Sequence, residues 1–520
     1  MSNIVMMRES EVAPRMCERT RRKSIPEQLL EDCRVLSNQS AWRVVPHRVI
    51  LTMTATVMMI TACATNPVTG RRELSLVSES QEVQMGREAS QNDLKRVGEV
   101  PSADAIAMVR RIGQSMAAKS ERPSLPWEFH VLDDAAVNAF AYPGGFIFVT
   151  RGLLTHINSE AELAEVVGHE IGHVTAKHTV ASMSQQQLAQ IGLVGASIVS
   201  PTVAKYGDLL GSGASLLFLK FGRDDELQAD ALGFQYSLAQ GFDVRESPKV
   251  FTMLGRLSGT EGRVPEWQST HPDPGNRVQR AQQRLTQTTA AQLAGTRVNR
   301  ESFLRMLDGM VYGENPRHGF FRAQRFLHPD LKFEFTFPTG WKTANQPDAV
   351  MAVSPDNGAQ LQLVPGQGTP AQTLQAFTSQ QGITVRQTTS VNINGLSAVQ
   401  ATFDAQTQQG TLSGLATALS HNGTTYLLLG LAVPQAAAQR TPEMDAAMRS
   451  FRPLTEAAAL NVQPARLTLV TTDQVMTGAQ FLSRYPSSIP AEEVLLINGI
   501  ESTTSVPKGT TLKRITGGVQ

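Results

Sequence analysis

Val167-Gly168-His169-Glu170-Ile171-Gly172-His173-Val174 is an HExxH motif set among small and apolar residues. On a helix, positions four apart share one face, a turn apart. His169 and His173 can therefore aim two imidazoles at one metal ion. Glu170, beside the first, can reach a water bound there, the arrangement that a zinc peptidase needs. Upstream, Ser159 and Glu162 form an S-x-x-E capping box ahead of an apolar run. Leu163, Val166, Val167, Ile171 and Val174 recur at helical spacing, and no proline occurs from Glu160 to Ser184. The pattern predicts one helix over this span, with both histidines in its middle.

Two histidines leave a catalytic zinc one protein ligand short. A histidine six residues after His173 would complete one known solution, but that position is Thr179, and His178 falls one residue early, on the wrong side of the helix. The other solution is a downstream glutamate. Arg223-Asp224-Asp225-Glu226-Leu227-Gln228-Ala229-Asp230 offers Glu226, on a stretch whose Leu227, Ala231, Leu232 and Phe234 predict a helix packed on the core. Asp230, one turn on, can accept a hydrogen bond from a ligand imidazole and fix its tautomer. Further on, Ser269-Thr270-His271-Pro272-Asp273-Pro274-Gly275-Asn276-Arg277 holds His271 in a loop stiffened by two prolines, and Arg277 to Leu285 reads as a polar helix.

A chain of 520 residues is too long for one ordinary core and suggests about two to four domains. Hydrophobic residues make up 41% and charged ones 18%, a balance that folds, and a net charge of +1 argues against nucleic acid as a main partner. The cysteines, Cys17, Cys33 and Cys63, all lie near the N-terminus. The folded body thus has neither a disulfide framework nor a cysteine-ligated zinc.

Arg43, His47 and Arg48 precede an apolar run, Val49 to Ile60, that is too short to span a bilayer. It ends in Ile60-Thr61-Ala62-Cys63, which resembles a bacterial lipobox. That resemblance implies cleavage before Cys63 and lipidation of it. With Ala64 and Thr65 next, and no Asp, it also implies sorting to the outer membrane of a Gram-negative cell. Residues 1–42 contain Glu9, Glu11, Glu27, Glu31 and Asp32 and do not fit a signal peptide, so translation is expected to begin near Val44 or Val45.

From Glu79 to Val97 and Ala103 to Met116 the spacing predicts helices, and Trp127 to Leu132 alternates as a strand does. Val137-Asn138-Ala139-Phe140-Ala141-Tyr142-Pro143-Gly144-Gly145-Phe146-Ile147-Phe148-Val149 contains a Pro-Gly-Gly turn and then a strand from Phe146 to Val149. On its residues alone, that strand reads as an ordinary paired one. Leu188 to Leu219 is apolar and glycine-rich but interrupted, and reads as buried helices or a loop over a cleft, not a membrane hairpin.

In chain order, Val137–Val149, the HExxH motif, Arg223–Asp230 and Ser269–Arg277 resemble the gluzincin metallopeptidases that include the CAAX-prenyl protease and the HtpX-type peptidases, and are most similar to their soluble periplasmic lipoprotein members. The resemblance covers residues 66–290. It implies one zinc ion per chain, held by His169, His173 and Glu226, with Glu170 as general base and Asp230 orienting a ligand. It implies that Asn138 and the strand Phe146, Ile147 and Phe148 hold the substrate backbone along a free edge. It places His271 and Arg277 at the cleft, where His271 either contacts the reacting centre or blocks the metal. The membrane-bound members have transmembrane helices that this chain lacks, so attachment would rest on Cys63.

Beyond a bridge at 301–325, strands are expected at Phe333–Phe337, Ala349–Val353, Gln360–Val364, Ala398–Phe403, Leu412–Leu419 and Thr424–Ala432. Helices are expected at Ala371–Gln380 and Glu443–Phe451. Phe337-Pro338-Thr339-Gly340-Trp341 resembles PsbP-like domains, which names no chemistry. Residues 464–515 resemble the second half of a LysM-type module, a kind that can hold peptidoglycan. The expected organisation is α+β: an N-terminal extension and signal (1–62), a mainly helical zincin-type domain with a short edge-stranded sheet (63–300), the bridge, a PsbP-like α+β domain (326–456) and a small module (460–520). The expected activity is zinc-dependent endoproteolysis of misfolded or unassembled envelope proteins at the periplasmic face of the outer membrane, with outer-membrane assembly machinery and peptidoglycan as candidate partners. The competing readings are a periplasmic chaperone or scaffold with a mostly closed zinc site, and a cell-wall-binding lipoprotein.

Overall fold

The architecture was read from a computed structural model, which describes residues 63–196, 221–257, 267, 270–271, 275–407 and 410–518. The expected signal run, and the part of Leu188 to Leu219 beyond Ala196, lie outside the described residues. So do Pro272 and Pro274.

A hairpin of β1 (Cys63–Thr65) and β2 (Arg72–Leu74) leads into helices α1 (Glu79–Arg96) and α2 (Ala103–Ala117). Three strands follow: β3 (Glu128–Leu132), β4 (Ala139–Tyr142) and β5 (Phe146–Thr150). After the short helix α3 (Arg151–His156) comes α4 (Glu160–Thr175), the HExxH helix, buried at every residue. Ser159 caps it, its Oγ accepting from the Glu162 amide at 3.1 Å. The reciprocal half of the expected box is displaced by one residue, since the Glu162 carboxylate accepts from the Asn158 amide.

The single helix expected to Ser184 is two. Lys177 adopts a left-handed φ of 59°, and a new helix, α5 (His178–Ala196), starts beyond it. Two donors from elsewhere take the carbonyls freed at this break. The Arg122 guanidinium donates to Val174 O at 3.0 Å, and the Asn66 amide donates to Ala176 O at 3.0 Å. His173 therefore sits in the last turn of α4, not mid-helix. The helices α6 (Arg223–Ala239) and α7 (Ser247–Leu257), then α8 (Arg277–Gln287) and α9 (Arg300–Leu307), complete the layer around it.

The three-stranded sheet has the order β3-β5-β4, with β3 parallel and β4 antiparallel to β5. This corrects the edge expected at Phe146–Val149. That strand is central, its residues Phe146, Ile147 and Phe148 are fully buried, and its neighbours flank it on both sides. Among the described residues the outer strands are β3, bridged at Leu132 by Glu99, and β4, whose outer edge has no partner strand.

The C-terminal half is built from β6 (Phe320–Arg322), β7 (Arg325–His328), β8 (Phe333–Thr336), β9 (Lys342–Gln346), β10 (Ala349–Val353), β11 (Ala359–Pro365), β12 (Ile383–Ile393), β13 (Leu396–Thr407), β14 (Gly410–His421), β15 (Thr424–Ala432) and β16 (Arg452–Pro453). They form a seven-stranded antiparallel sheet, ordered β12-β13-β14-β15-β11-β10-β9, and a four-stranded one, ordered β16-β8-β7-β6. One face of the large sheet packs on helix α10 (Pro370–Thr378) through Leu374, Phe403 and Leu429. The other packs on α11 (Pro434–Arg449) and the small sheet through Phe333, Leu428, Met444 and Met448. Alternation along β15 sends Leu427 and Leu429 to one face and Leu428 to the other, so a run of leucines serves both layers.

Residues 466–516 are framed by β17 (Arg466–Thr471), which pairs antiparallel with the last strand, β20 (Thr511–Thr516). Between them lie helices α12 (Gly478–Arg484) and α13 (Ala491–Asn498), and a two-residue ladder of β18 (Met476–Thr477) with β19 (Ser505–Val506). This unit docks on the first domain. Leu467, Leu496, Ile497 and Ile515 share one core with Leu153, Leu154, Ile157 and Leu304. Lys513, fully buried, donates to Thr155 O and Ile157 O, each at 2.9 Å. The molecule is thus α+β, helical around HExxH and β-rich toward the C-terminus.

Candidate active site

The site exists because α4 and α6 cross backbone to backbone. A Cβ on Gly233 would fall 2.9 Å from His169 N and 3.0 Å from Glu165 O, and one on Gly168 only 3.0 Å from Gly233 Cα. That closeness brings Glu226 onto the two imidazoles. His169 Nε2 lies 3.0 Å from His173 Nε2, and Glu226 offers Oε2 at 3.5 Å to the first and Oε1 at 3.5 Å to the second. His169, His173, Glu226 and His271 each supply one ligand atom, all within 4.8 Å of one another.

The donor chemistry is that of a metal site. Burial, reinforced by His169, His178 and His271, holds the His173 pKa well below the usual imidazole value, so the ring is neutral and keeps a lone pair. Burial alone would raise Glu226, but His271, His169 and Arg277 outweigh it and keep the carboxyl ionised. Its Oε2 is buried and makes no hydrogen bond among the described residues; the Arg277 guanidinium stands 3.7 Å away, and an ionised oxygen so buried favours a further cation. Both carboxylate oxygens of Glu170 are likewise buried and make no hydrogen bond among the described residues. Burial raises the Glu170 pKa, with His271 and His169 opposing.

Asp230 stands where the sequence puts it, Oδ1 accepting from His169 Nδ1 at 3.0 Å. Arg277 holds that carboxylate with two donors, Nε to Oδ2 at 3.0 Å and Nη2 to Oδ1 at 2.5 Å. Burial would raise Asp230, yet Arg277 and His169 keep it well below the usual carboxylate range. Arg277 also stands 3.7 Å from Glu226 Oε2 through Nη1. Its charge is engaged behind the ligands, with Phe251 stacked at 4.5 Å.

His271 is inside the ligand cluster. Its Nδ1 is 3.0 Å from Glu226 Oε1 and 3.4 Å from His169 Nε2, and its Nε2 is 3.6 Å from Glu170 Oε1. Trp267 stacks on its ring at 4.3 Å, and Phe221 lies on His173 at 4.0 Å. Asn138 precedes the edge strand β4. Its backbone pairs with Thr150, while its side-chain Oδ1 is buried with no partner. Pairing of an extended substrate with the central residues Phe146, Ile147 and Phe148 is blocked by their own neighbours, so any such pairing passes to Ala139–Tyr142.

Sequence reasoning missed His178 and Gln228. His173 Nδ1 is 2.9 Å from His178 Nδ1, and His178 Nε2 is 3.0 Å from Gln228 Oε1. The usable signal was a third histidine five residues after His173. It was set aside because a continuous helix would have turned it away. Also missed was Arg122, which joins Glu82 at 2.7 Å to the end of the HExxH helix.

An HExxH helix crossed by a second helix that carries a glutamate ligand candidate defines a metallopeptidase domain. Residues 105–285 match the model of Peptidase family M48, about a third of the chain. Among curated proteins, it is similar to the mitochondrial metalloendopeptidase OMA1 of Arabidopsis thaliana, 36% identical over 165 residues, 31% of this chain and 32% of that one. It is also similar to the beta-barrel assembly-enhancing protease of Yersinia pestis, 31% identical over 188 residues, 34% of this chain and 38% of that one. The chain thus matches well under half the length of either relative. A solution structure of cyanobacterial PsbP from Synechocystis aligns at 14% identity over 26% of this chain and 94% of that one, with a TM-score of 0.22, too low to carry an argument. Among the described residues, no helix is long and apolar enough to cross a membrane.

Proposed function

We propose that the chain is a zinc endopeptidase that hydrolyses peptide bonds of misfolded or unassembled envelope proteins. The observation that carries this reading is the convergence of His169 Nε2, His173 Nε2 and a Glu226 oxygen, with the Glu170 carboxylate, which makes no hydrogen bond among the described residues, beside them. Zinc held there would polarise a scissile carbonyl and acidify a water molecule. Glu170 takes the proton from the attacking water and delivers it to the leaving amine, a role suited by a pKa that burial has raised. Asp230, clamped by Arg277, holds His169 in the tautomer that presents Nε2 inward. The β4 edge offers unpaired main-chain groups to an extended substrate, and Asn138 Oδ1 is a buried acceptor at its start.

The envelope substrates, attachment through Cys63 to the periplasmic side of the outer membrane, and the outer-membrane assembly machinery as partner rest on two supports. One is the lipobox-like Ile60–Cys63. The other is the similarity to a protease named for enhancing β-barrel assembly. The PsbP-like reading of 326–456 rests on its Phe-Pro-Thr-Gly-Trp stretch. The LysM-like reading of 460–520, with peptidoglycan as its ligand, is supported by the strand-helix-helix-strand order.

A second reading, a chaperone or scaffold whose zinc site is mostly shut, is favoured by one feature: His271 fills the fourth corner of the ligand set. Casein cleavage and zinc content, measured together for wild type and Glu170→Gln, test the proposal. Chelator-sensitive cleavage by wild type, and a variant that keeps zinc without cleaving, support it. Wild type that binds no zinc refutes it.

A further inference from the structure

The two ligand imidazoles are oriented from behind by different chemistry. His169 Nδ1 meets a carboxylate, Asp230, at 3.0 Å. His173 Nδ1 meets another imidazole, His178 Nδ1, at 2.9 Å, and the two rings stand edge to face at 76°. The far nitrogen of His178, Nε2, lies 3.0 Å from Gln228 Oε1 and 3.7 Å from Asp225 Oδ1.

We propose that His178 is a positioning residue for zinc, the acceptor that fixes His173 in its ligating tautomer, with Gln228 fixing His178 in turn. The proposal rests on the zinc-site reading above. The bonding assigns each proton. Because His173 turns Nε2 inward, its proton sits on Nδ1 and must be donated outward. His178 can accept it only through an unprotonated Nδ1, which places its own proton on Nε2. Gln228 Oε1, a carbonyl oxygen, accepts that proton. Each imidazole nitrogen in this chain has one use, and His178 is only 4% exposed, so water does not compete for them.

The backbone explains why His178 reaches this place. At φ 59° Lys177 breaks the helix immediately after the motif. The first residue of α5 is thereby turned back against the last turn of α4. A continuous helix would have carried His178 away from His173. Gln228 comes from α6, the same helix that supplies Glu226 and Asp230. One helix thus furnishes a ligand, the carboxylate behind His169 and the amide behind His178.

The test uses purified full-length wild type, His178→Leu, His178→Asn and Gln228→Leu. Each is titrated with zinc in competition with a chromophoric chelator, and the thermal midpoint of each metal-free protein is measured. Loss of a partner behind a ligand imidazole weakens metal binding by about 10–100-fold. His178→Leu, which fills the space but accepts nothing, is expected to show that loss with an unchanged metal-free midpoint. His178→Asn, which puts a carbonyl oxygen where Nδ1 stood, is expected to recover most of the affinity. Gln228→Leu should fall between His178→Leu and wild type, and combining the two substitutions should add nothing further to the loss in His178→Leu. Wild-type affinity in His178→Leu overturns the proposal. So does His178→Asn binding as weakly as His178→Leu, or a metal-free midpoint that falls in step with the affinity, since either assigns His178 to packing. Wild type that takes up no zinc brings down the metallopeptidase reading itself, and this proposal with it.

Discussion

Replacing Gly233 by alanine tests whether the helix crossing makes the metal site. The added methyl would stand 2.9 Å from His169 N and 3.0 Å from Glu165 O, both backbone atoms of the HExxH helix. Ordinary contact requires α6 to retreat by about half an ångström, since overpacked side chains in such a seam force backbone shifts. Overpacking of this kind costs about 1–3 kcal/mol, and the better helix propensity of alanine returns about 1 kcal/mol. The net expectation is a loss of up to about 2 kcal/mol. The larger effect is on the metal, because Glu226 rides on α6 and ligand distances tolerate only about 0.2 Å. Zinc affinity is expected to fall at least about tenfold, or about 1.4 kcal/mol. Gly255 is the control: it lies inside α7 with nothing within 4 Å of a Cβ, so Gly255→Ala should stabilise by about 0.4–1 kcal/mol and leave zinc alone. Calorimetric midpoints and zinc competition read both variants. A Gly233→Ala protein that melts no lower than Gly255→Ala and binds zinc as wild type does would refute the crossing as the origin of the site.

Four further outcomes are expected. Glu170→Gln should retain zinc and lose about 10²–10⁴-fold in turnover, measured as casein cleavage; zinc loss would instead make Glu170 a ligand or a support. His271→Ala should raise the basal rate, because His271 fills a ligand corner; a fall equivalent to about 2–4 kcal/mol of barrier would place it at the oxyanion. The His156 contribution to stability should decline as pH falls from about 6.5 toward 4, while the buried carboxyls Glu162 and Glu165, raised by burial to about 7, contribute more over the same range. His156 is neutral in the fold because burial pushes its pKa down to about 4, so the folded state lacks a proton that the unfolded chain binds below its ordinary value. This group alone accounts for about 3 kcal/mol, present in full above about pH 6.5 and gone near about pH 4, so the difference in melting midpoint between wild type and His156→Gln should shrink over that range. Ile515→Ala should cost about 2–5 kcal/mol and expose the HExxH domain, not only the C-terminal unit, to limited proteolysis, because Ile515 is fully buried in the shared core.

The ligand residues were legible because metal chemistry restricts residue type and helical geometry restricts spacing. Glu226 could be found as the best candidate to complete His169 and His173, and Asp230 as its neighbour one turn later. The strands β10, β11 and β13 were legible because their apolar residues alternate, and β14 and β15 because an apolar run is buried on both faces. β12 was not: Ile383 to Ile393 is mostly exposed, and a strand without a buried face writes no pattern. The break at Lys177 was invisible because a left-handed lysine has no sequence signature, and tertiary donors, Arg122 and Asn66, stabilise it. With the break went the position of His178. The strand Phe146–Thr150 was placed correctly along the chain, but whether a strand is central or at an edge depends on partners far away in sequence.

The hairpin that begins at Cys63 is fastened to the catalytic helix almost at once. Asn66 closes its turn and reaches the carbonyl of Ala176, just past the motif. For a chain held to a bilayer at Cys63, as proposed, three residues at about 3.3 Å each leave a leash of only about 10 Å. Such an enzyme has no arm with which to sweep the surrounding compartment. It works within grazing distance of the lipid surface, on clients that are themselves arriving at or stalled upon it.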